Sequence, residues 1–260
     1  MRKDLGVSVH PPKRALVREP GMSYRNCISC HPERDSIDLT RAREQHAEYC
    51  ETLSDLGLDV IKLPTDDSHP DSCFVEDNAV VHSGRALICR MAREARRGEQ
   101  GPVEEALREY LQTKRTTSPG TVEGGDVIHG PGRLISGVSE RTNESGVEQM
   151  RTWLDVRVDT VKDPLMVHLK SYATYLGDGK MVVSARFAKH PAFAPFDLIV
   201  LPDSEAYAAD TLTVGGTVLM SSGRKRSHAM VREAGFSVIP LETSEFEKCE
   251  GALTCLSILF

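Results

Sequence analysis

The sequence predicts an α/β fold in which a strand-rich unit carrying a helix is repeated radially or along a solenoid. Four stretches place a glycine turn directly before an apolar strand, at 84–88, 132–135, 179–183 and 216–220. An apolar strand at 15–18 acts as a fifth copy. The copies recur at roughly 40 to 50 residues, an interval typical of repeat architectures.

The segment after the first strand predicts an amphipathic helix over 37–56. Asp35 or Ser36 can serve as its N-cap and Gly57 as its stop. The next apolar stretch, 60–64, is predicted to be a strand. One face of the helix carries the spaced apolar residues Leu39, Ala42, His46, Tyr49, Leu53 and Leu56.

Length and composition predict one globular domain over 1–260. The chain is 40% hydrophobic and 27% charged, no linker interrupts the copies, and the polar runs 90–105 and 221–227 are expected to be solvated. The net charge of −6 argues against nucleic acid and suits a small cationic substrate. Residues 1–6 lack the apolar stretch of a signal peptide, and no run reaches the roughly 20 residues of a membrane span. A cytoplasmic location follows as an expectation.

The seven cysteines are an odd number in a chain without a secretion signal. This count favours free thiols, one of them reactive, over a disulfide framework. Cys255 lies in the apolar segment at the end of the chain, where a terminal strand can place it as a nucleophile. Cys27, Cys30 and His31 match a haem-attachment pattern, but a cytoplasmic chain has no apparatus for that attachment. With no second cysteine pair to form a zinc site, the segment is expected to be a loop, and it could act as a lid.

Two segments combine residues suited to acid–base chemistry. In 122–127, Glu123 and Asp126 flank paired glycines before a strand, which fits either a turn or a close backbone approach to a ligand. In 167–171, a strand would turn His168 and Lys170 to one face. His168 is therefore a candidate general acid and base, with a structural histidine as the alternative.

The acids Asp71, Glu76 and Asp77 lie among apolar residues of a predicted strand. Because a buried carboxylate is costly unless it is paired, they predict a cationic partner. Arg96 and Arg141 could be that partner, or could form forked contacts with a ligand carboxylate. With no phosphate-binding loop or dinucleotide fingerprint, no cofactor and no metal are expected.

Five segments in register resemble the dimethylarginine dimethylaminohydrolase family. They are 74–77, 123–126, 139–142, 168–171 and 253–255. The resemblance extends over nearly the whole chain and implies the fold of the guanidine-modifying enzymes, or penteins. That fold is a five-bladed α/β propeller with pseudo-fivefold symmetry and a central active-site channel.

The resemblance also implies roles for single residues. Cys255 would be the nucleophile, His168 the general acid and base, and Glu123 the carboxylate beside them. The remaining implied substrate-binding residues are Asp77 for the guanidinium, Arg96 and Arg141 for the α-carboxylate, Asp71 for the α-amino group, and Glu76 as support, with the backbone near Cys249 and Ile28 completing the pocket.

The implied activity is hydrolysis of Nω-methylated arginine, asymmetric dimethylarginine or monomethylarginine, to citrulline and an amine through a covalent Cys255 thiouronium. Lys170 stands where arginine deiminases carry an aspartate, which favours a methylated substrate. The alternatives are arginine or citrulline hydrolysis, amidine transfer, and a noncatalytic propeller that only binds. The sequence leaves open whether the chain acts alone or as a homodimer.

Overall fold

The computed structural model describes residues 11–260. Those residues form fifteen strands: β1 Arg14–Arg18, β2 Asp59–Leu63, β3 Ala79–His82, β4 Arg85–Ile88, β5 Gln112–Arg115, β6 Val127–Gly130, β7 Arg133–Val138, β8 Arg157–Lys162, β9 Ala173–Gly177, β10 Lys180–Ser184, β11 Asp197–Leu201, β12 Leu212–Val214, β13 Thr217–Ser221, β14 Ser237–Leu241 and β15 Ser257–Leu259. The α-helices are α1 Leu39–Asp55, α2 Gln100–Arg108, α3 Glu144–Leu154, α4 Lys225–Glu233 and α5 Ser244–Glu247.

The strands form five separate three-stranded sheets, ordered β15-β1-β2, β3-β4-β5, β6-β7-β8, β11-β10-β9 and β12-β13-β14. In every sheet the central strand pairs antiparallel with one neighbour and parallel with the other. A helix crosses between the two parallel strands of each blade; in the fourth blade it is only the 3-10 helix Pro191–Phe193. The five-bladed α/β propeller is therefore confirmed.

The repeated strands predicted from the sequence are the central strands β1, β4, β7, β10 and β13. Their side chains are buried at nearly every position because each lies between two strands of its blade. The turn before the strand requires glycine: Gly84 and Gly179 have φ of +77° and +74°. The first interval is longer than predicted because extra segments, 19–38 and 64–74, lie there.

Helix α1 carries the predicted apolar stripe, which is buried from Leu39 to Leu53. Its predicted N-cap was wrong. The side chain of Asp38 accepts hydrogen bonds from the amides of Thr40 and Arg41, so the helix begins later than expected. Gly57, with φ of +89°, follows the helix as predicted.

The polar run 90–105 is not solvated throughout, which corrects the expectation for that segment. Arg96, Glu99 and Glu104 are buried, because each forms ion pairs with oppositely charged side chains. Among residues 11–260, no helix has the length and apolar character needed to cross a bilayer. The expectation about a signal peptide concerns residues 1–6, which lie outside the described range.

The two ends of the described chain build one blade together. Strand β15 pairs antiparallel with β1, and Leu16 lies opposite Ile258 in the register. This pairing closes the ring of blades and confirms the terminal strand next to Cys255.

Candidate active site

A short 3-10 helix stands before the first strand of each blade. These five segments are Val75–Asn78, Gly124–Asp126, Leu169–Ser171, Asp203–Ala209 and Thr254–Leu256. Most neighbouring pairs contact one another, so the segments lie together in a ring. The folding of separate blades thus brings together residues that are distant in sequence.

His168, Glu123 and Asp77 form the centre of this ring. His168 Nε2 lies 2.9 Å from Glu123 Oε2 and 3.6 Å from Asp77 Oδ1. Glu123 is fully buried, and its other oxygen accepts a hydrogen bond from the amide of Ala92 at 3.1 Å. Asp77 Oδ1 accepts one from the amide of Gly125 at 2.9 Å. Each carboxylate is therefore held by backbone donors in a fixed orientation.

The charges of these three groups support one another. Burial alone would lower the pKa of His168, but Asp77 and Glu123 outweigh it and raise that pKa to about 9. Burial opposes ionisation of Asp77, yet His168 and Arg96 lower its pKa to about 2. In Glu123 the hydrogen bond from His168 likewise overcomes burial and lowers the pKa. At neutral pH the cluster holds an imidazolium between two carboxylates.

The local backbone around His168 differs from the prediction. Residues 167–171 are not a strand: His168 is extended, and the 3-10 helix Leu169–Ser171 follows it. His168 and Lys170 nevertheless both reach the ring while Leu169 packs in the core. Gly125 is needed beside them, because a Cβ there would lie 2.8 Å from the His168 ring.

Arg96 binds protein carboxylates. Its Nη1 lies 2.7 Å from Asp77 Oδ2, and its Nε and Nη2 make a two-point contact with Glu99, each at 2.9 Å. Three of its nitrogens are thus already paired. Sequence reasoning missed Glu99, although the i, i+3 spacing to Arg96 was a usable signal.

Arg141 has fewer close carboxylate partners than Arg96. It is 8% exposed, and carboxylate oxygens of Glu123 and Glu140 lie 3.8 and 3.6 Å from its nitrogens, beyond hydrogen-bonding distance. Its Nε has no hydrogen-bond partner within residues 11–260. A buried guanidinium with a free donor next to the ring is well placed to take an anionic group from a ligand.

Glu76 is paired with Lys170 within the ring. Its Oε1 accepts from Lys170 Nζ at 2.5 Å, and its Oε2 accepts from the hydroxyl of Thr254 at 2.8 Å. Glu76 and Asp77 lie in the 3-10 helix Val75–Asn78, not in the strand that the sequence suggested. The cationic partners of these acids are therefore Arg96, one of the two predicted candidates, and Lys170, which was not predicted.

Asp71 connects the ring to the loop 27–31. Its Oδ1 accepts a hydrogen bond from the amide of Ile28 at 2.9 Å, and Oδ2 lies 4.0 Å from Arg96 Nε. Burial raises the pKa of Asp71 despite the nearby arginine. This contact brings the loop around Ile28 to the edge of the site, where the resemblance places it.

A disulfide between Cys27 and Cys249 contradicts the expectation of free thiols. Their Cα atoms lie 6.0 Å apart, and 222 positions separate them in sequence. Two further contacts tie the same segments: Ser29 Oγ donates to the carbonyl of Lys248, and the amide of Cys30 donates to a Glu250 carboxylate. Cysteine count could not reveal this pair, because five other thiols are free.

The double variant Cys27→Ser/Cys249→Ser is expected to lose about 2–4 kcal/mol of unfolding free energy, because it removes a long-range cross-link from the unfolded chain. Urea unfolding measures this loss. Cys30→Ser, which changes an exposed free thiol in the same loop, is the matched control. Equal stability of the two variants would show that the cross-link contributes nothing.

Cys255 lies in the 3-10 helix Thr254–Leu256 and is 8% exposed. Burial first, and then the charges of Asp210, Glu76 and Asp77, raise its pKa well above the ordinary value. The resting nucleophile candidate is therefore a thiol, as expected for a cysteine set among acids.

Asp77, Glu123 and His168 could in principle hold a metal ion, since their donor atoms lie within 4.8 Å of one another. A ligating histidine must be neutral, and the raised pKa of His168 opposes that. The guanidinium of Arg96 already lies against Asp77. The cluster is better suited to an organic cation that donates hydrogen bonds.

Residues 23–189 match the family model described as N,N dimethylarginine dimethylhydrolase, eukaryotic. The N(G),N(G)-dimethylarginine dimethylaminohydrolase of Pseudomonas aeruginosa is 35% identical over 86% of this chain and 90% of its own. The chain belongs to the dimethylarginine dimethylaminohydrolase family. A Streptomyces coelicolor relative with the same name is also 35% identical, over 95% of this chain and 97% of its own.

Solved structures of the family have the same fold. A mutant of the Pseudomonas aeruginosa enzyme complexed with citrulline gives a TM-score of 0.93 at 32% identity, covering 96% of this chain and 100% of that one. A dimethylarginine dimethylaminohydrolase adduct with S-methyl-L-thiocitrulline gives 0.92 at 33% identity with the same coverage. The amino-terminal domain of an arginine dihydrolase, ArgZ, shares the fold at 20% identity.

Proposed function

We propose that this protein hydrolyses Nω-methylated arginine to citrulline and dimethylamine or methylamine. The proposal rests on the buried carboxylates of Asp77 and Glu123. These two groups lie beside the guanidinium of Arg96 and the imidazolium of His168. Family relatives carry the dimethylaminohydrolase name, and one solved relative holds citrulline. The chain is thus an amidine hydrolase acting on a small cationic amino acid.

Each end of the substrate has a matching group. Asp77 and Glu123 would bind the guanidinium and fix its plane, since each carboxylate oxygen can accept more than one hydrogen bond. Arg141 would hold the α-carboxylate with its free donors, and Arg96, largely occupied by Glu99, would support it. The remaining assignments are Asp71 for the α-amino group and Glu76 as structural support for the acidic wall.

These positions support the following reaction. A guanidinium is a poor electrophile because its charge is delocalised, and the two carboxylates localise that charge on particular nitrogens. Once the substrate cation is bound, the Cys255 thiol loses its proton to solvent and the thiolate attacks the central carbon. The bond to the methylated nitrogen then breaks, and His168 protonates the departing amine. A water deprotonated by His168 then attacks the thiouronium, and the adduct collapses to citrulline while its hydroxyl proton passes to the Cys255 sulfur, which restores the resting thiol.

A product assay tests the function. Asymmetric dimethylarginine should yield citrulline and dimethylamine, and free arginine, run beside it, should react far more slowly. Ammonia from arginine as the main product would reassign the chain as a deiminase, and ornithine would indicate a dihydrolase or ureido hydrolase. Absence of any thiol-dependent turnover would favour a propeller that only binds.

A cationic substrate analogue is expected to lower the apparent pKa of Cys255 by about one unit or more, because its charge offsets the carboxylates around the thiol. The rate of Cys255 alkylation is measured against pH with and without methylguanidinium. N-methylurea, which has a similar shape and no charge, is the control. An apparent pKa that does not change at saturating methylguanidinium would contradict substrate-assisted activation.

We further propose that residues 1–260 act as a single catalytic domain. Both ends of the described chain contribute strands to the first blade, so neither end is a separable unit. A cytoplasmic location also remains a proposal, and the Cys27–Cys249 disulfide weighs against it, because such bonds are uncommon in a reducing compartment.

A further inference from the structure

Asp210 occupies a position in the ring that the assigned roles do not use. It follows the 3-10 helix Asp203–Ala209 and stands two residues before β12. Asp77 and Cys255 stand equally far before β3 and β15. The fifth blade thus presents a carboxyl group at the position that Asp77 and Cys255 occupy in their own blades, and this side chain is 3% exposed.

Asp210 binds the turn that carries the nucleophile. Its Oδ1 accepts a hydrogen bond from the amide of Thr254 at 3.1 Å, and its Oδ2 lies 3.3 Å from the Thr254 hydroxyl. Thr254 directly precedes Cys255. The carboxyl group therefore fixes the backbone from which the Cys255 side chain projects.

The hydrogen count in this network leaves one contact without a hydrogen of its own. The Thr254 hydroxyl has a single hydrogen but touches two carboxyl groups, Glu76 at 2.8 Å and Asp210 at 3.3 Å. The shorter contact, to Glu76, takes that hydrogen. Because Lys170 neutralises Glu76, that carboxylate can stay ionised, and a protonated Asp210 would supply a hydrogen for the longer contact.

We propose that Asp210 is a positioning residue of this active site: a buried carboxyl group, neutral in the active form, that fixes the Cys255 turn and, when ionised, suppresses the thiolate. The inference rests on the proposed function only in taking Cys255 as the nucleophile. The titratable and charged groups facing Asp210 are Glu76, Lys170, Cys255, Tyr207 and Tyr49.

The pKa of Asp210 is consistent with a protonated carboxyl group at this position. Burial, and next the charge of Glu76, raise the pKa of Asp210 to about 7. After burial, Asp210 is also the largest contributor to the raised pKa of Cys255. Ionisation of Asp210 above pH 7 therefore places a negative charge beside the group that must itself become negative.

The test uses Asp210→Asn in a Cys30→Ser background, which removes the exposed free thiol. Asparagine can keep both contacts to Thr254 but cannot ionise. Cys255 alkylation by iodoacetamide, followed by peptide mass spectrometry, should show an apparent pKa lowered by about one unit. At pH 8 the rate should rise about three- to tenfold, since a lower thiol pKa also reduces intrinsic nucleophilicity.

A purely structural role predicts no such shift, so an unchanged or raised Cys255 pKa in Asp210→Asn overturns the proposal. Asp210→Ala should lower kcat at least tenfold with a smaller change in KM, and Asp210→Asn should recover part of that loss. A kcat for Asp210→Asn as low as that of Asp210→Ala would likewise contradict the inference. Alkylation needs no substrate, so the result is independent of whether asymmetric dimethylarginine is turned over.

Discussion

Replacing Cys255 by serine is expected to lower citrulline formation from asymmetric dimethylarginine by more than about a thousandfold. A serine hydroxyl ionises far less readily than a thiol, and the surrounding acids oppose a second negative charge. His168 cannot act as a general base for the serine, because it is already protonated at neutral pH and cannot accept the serine proton. Turnover measures the loss, and titration calorimetry measures substrate binding, which should be retained.

Cys30→Ser is the matched control for this experiment, since it replaces a free but exposed thiol by the same residue. It should keep full activity. Citrulline production by Cys255→Ser would rule out the covalent mechanism. Loss of binding together with altered urea unfolding would indicate that the variant is misfolded.

Arg141→Ala is expected to weaken substrate binding by roughly 2–5 kcal/mol, the range for removing one partner of a buried charge pair. The bound α-carboxylate would lose its least occupied donor, and Arg96 cannot fully replace it while Glu99 holds two of its nitrogens. Calorimetry with asymmetric dimethylarginine measures the change. Alkylation of Cys255 by iodoacetamide should alter much less, because that reagent has no carboxylate to anchor.

Two further variants make the arginine experiment specific. Arg157→Ala removes an exposed arginine paired with Asp159 and should leave binding unchanged. Arg141→Lys keeps the charge but not the planar fork, so its affinity should fall between those of the wild type and Arg141→Ala. Parallel losses of binding and alkylation in Arg141→Ala would point to a folding defect.

Local sequence patterns predicted the parts of the fold that depend on near neighbours. The glycine before each apolar stretch marks a tight turn, and a central strand buried on both faces reads as a continuous apolar run. The helix stripe from Leu39 to Leu53 follows from the 3.6-residue period. The helix boundaries were predicted less accurately. Asp38 caps α1, and not Asp35 or Ser36, because only the Asp38 side chain reaches the free amides.

The residue types that supply the chemistry of the site were predicted from the sequence and from the resemblance. Which charged side chains pair with one another was not predicted. Arg96 and Arg141 looked equivalent in sequence. The structure separates them, because Glu99 and Asp77 bind Arg96 while a donor of Arg141 has no partner in the described chain. Such pairing depends on which carboxylate lies within 3 Å, a distance that composition and spacing do not contain.

The sequence by itself determined the repeated unit, the apolar faces, and the residue types available for catalysis, because these depend on periodicity and side-chain chemistry. Only the tertiary structure decided the Cys27–Cys249 bond, the Glu76–Thr254–Asp210 network and the proton arrangement around Cys255. These contacts join residues 222, 178 and 44 positions apart. Each depends on segments that meet only when the blades assemble, where burial and neighbouring charge raise the pKa of Cys255 and of Asp210.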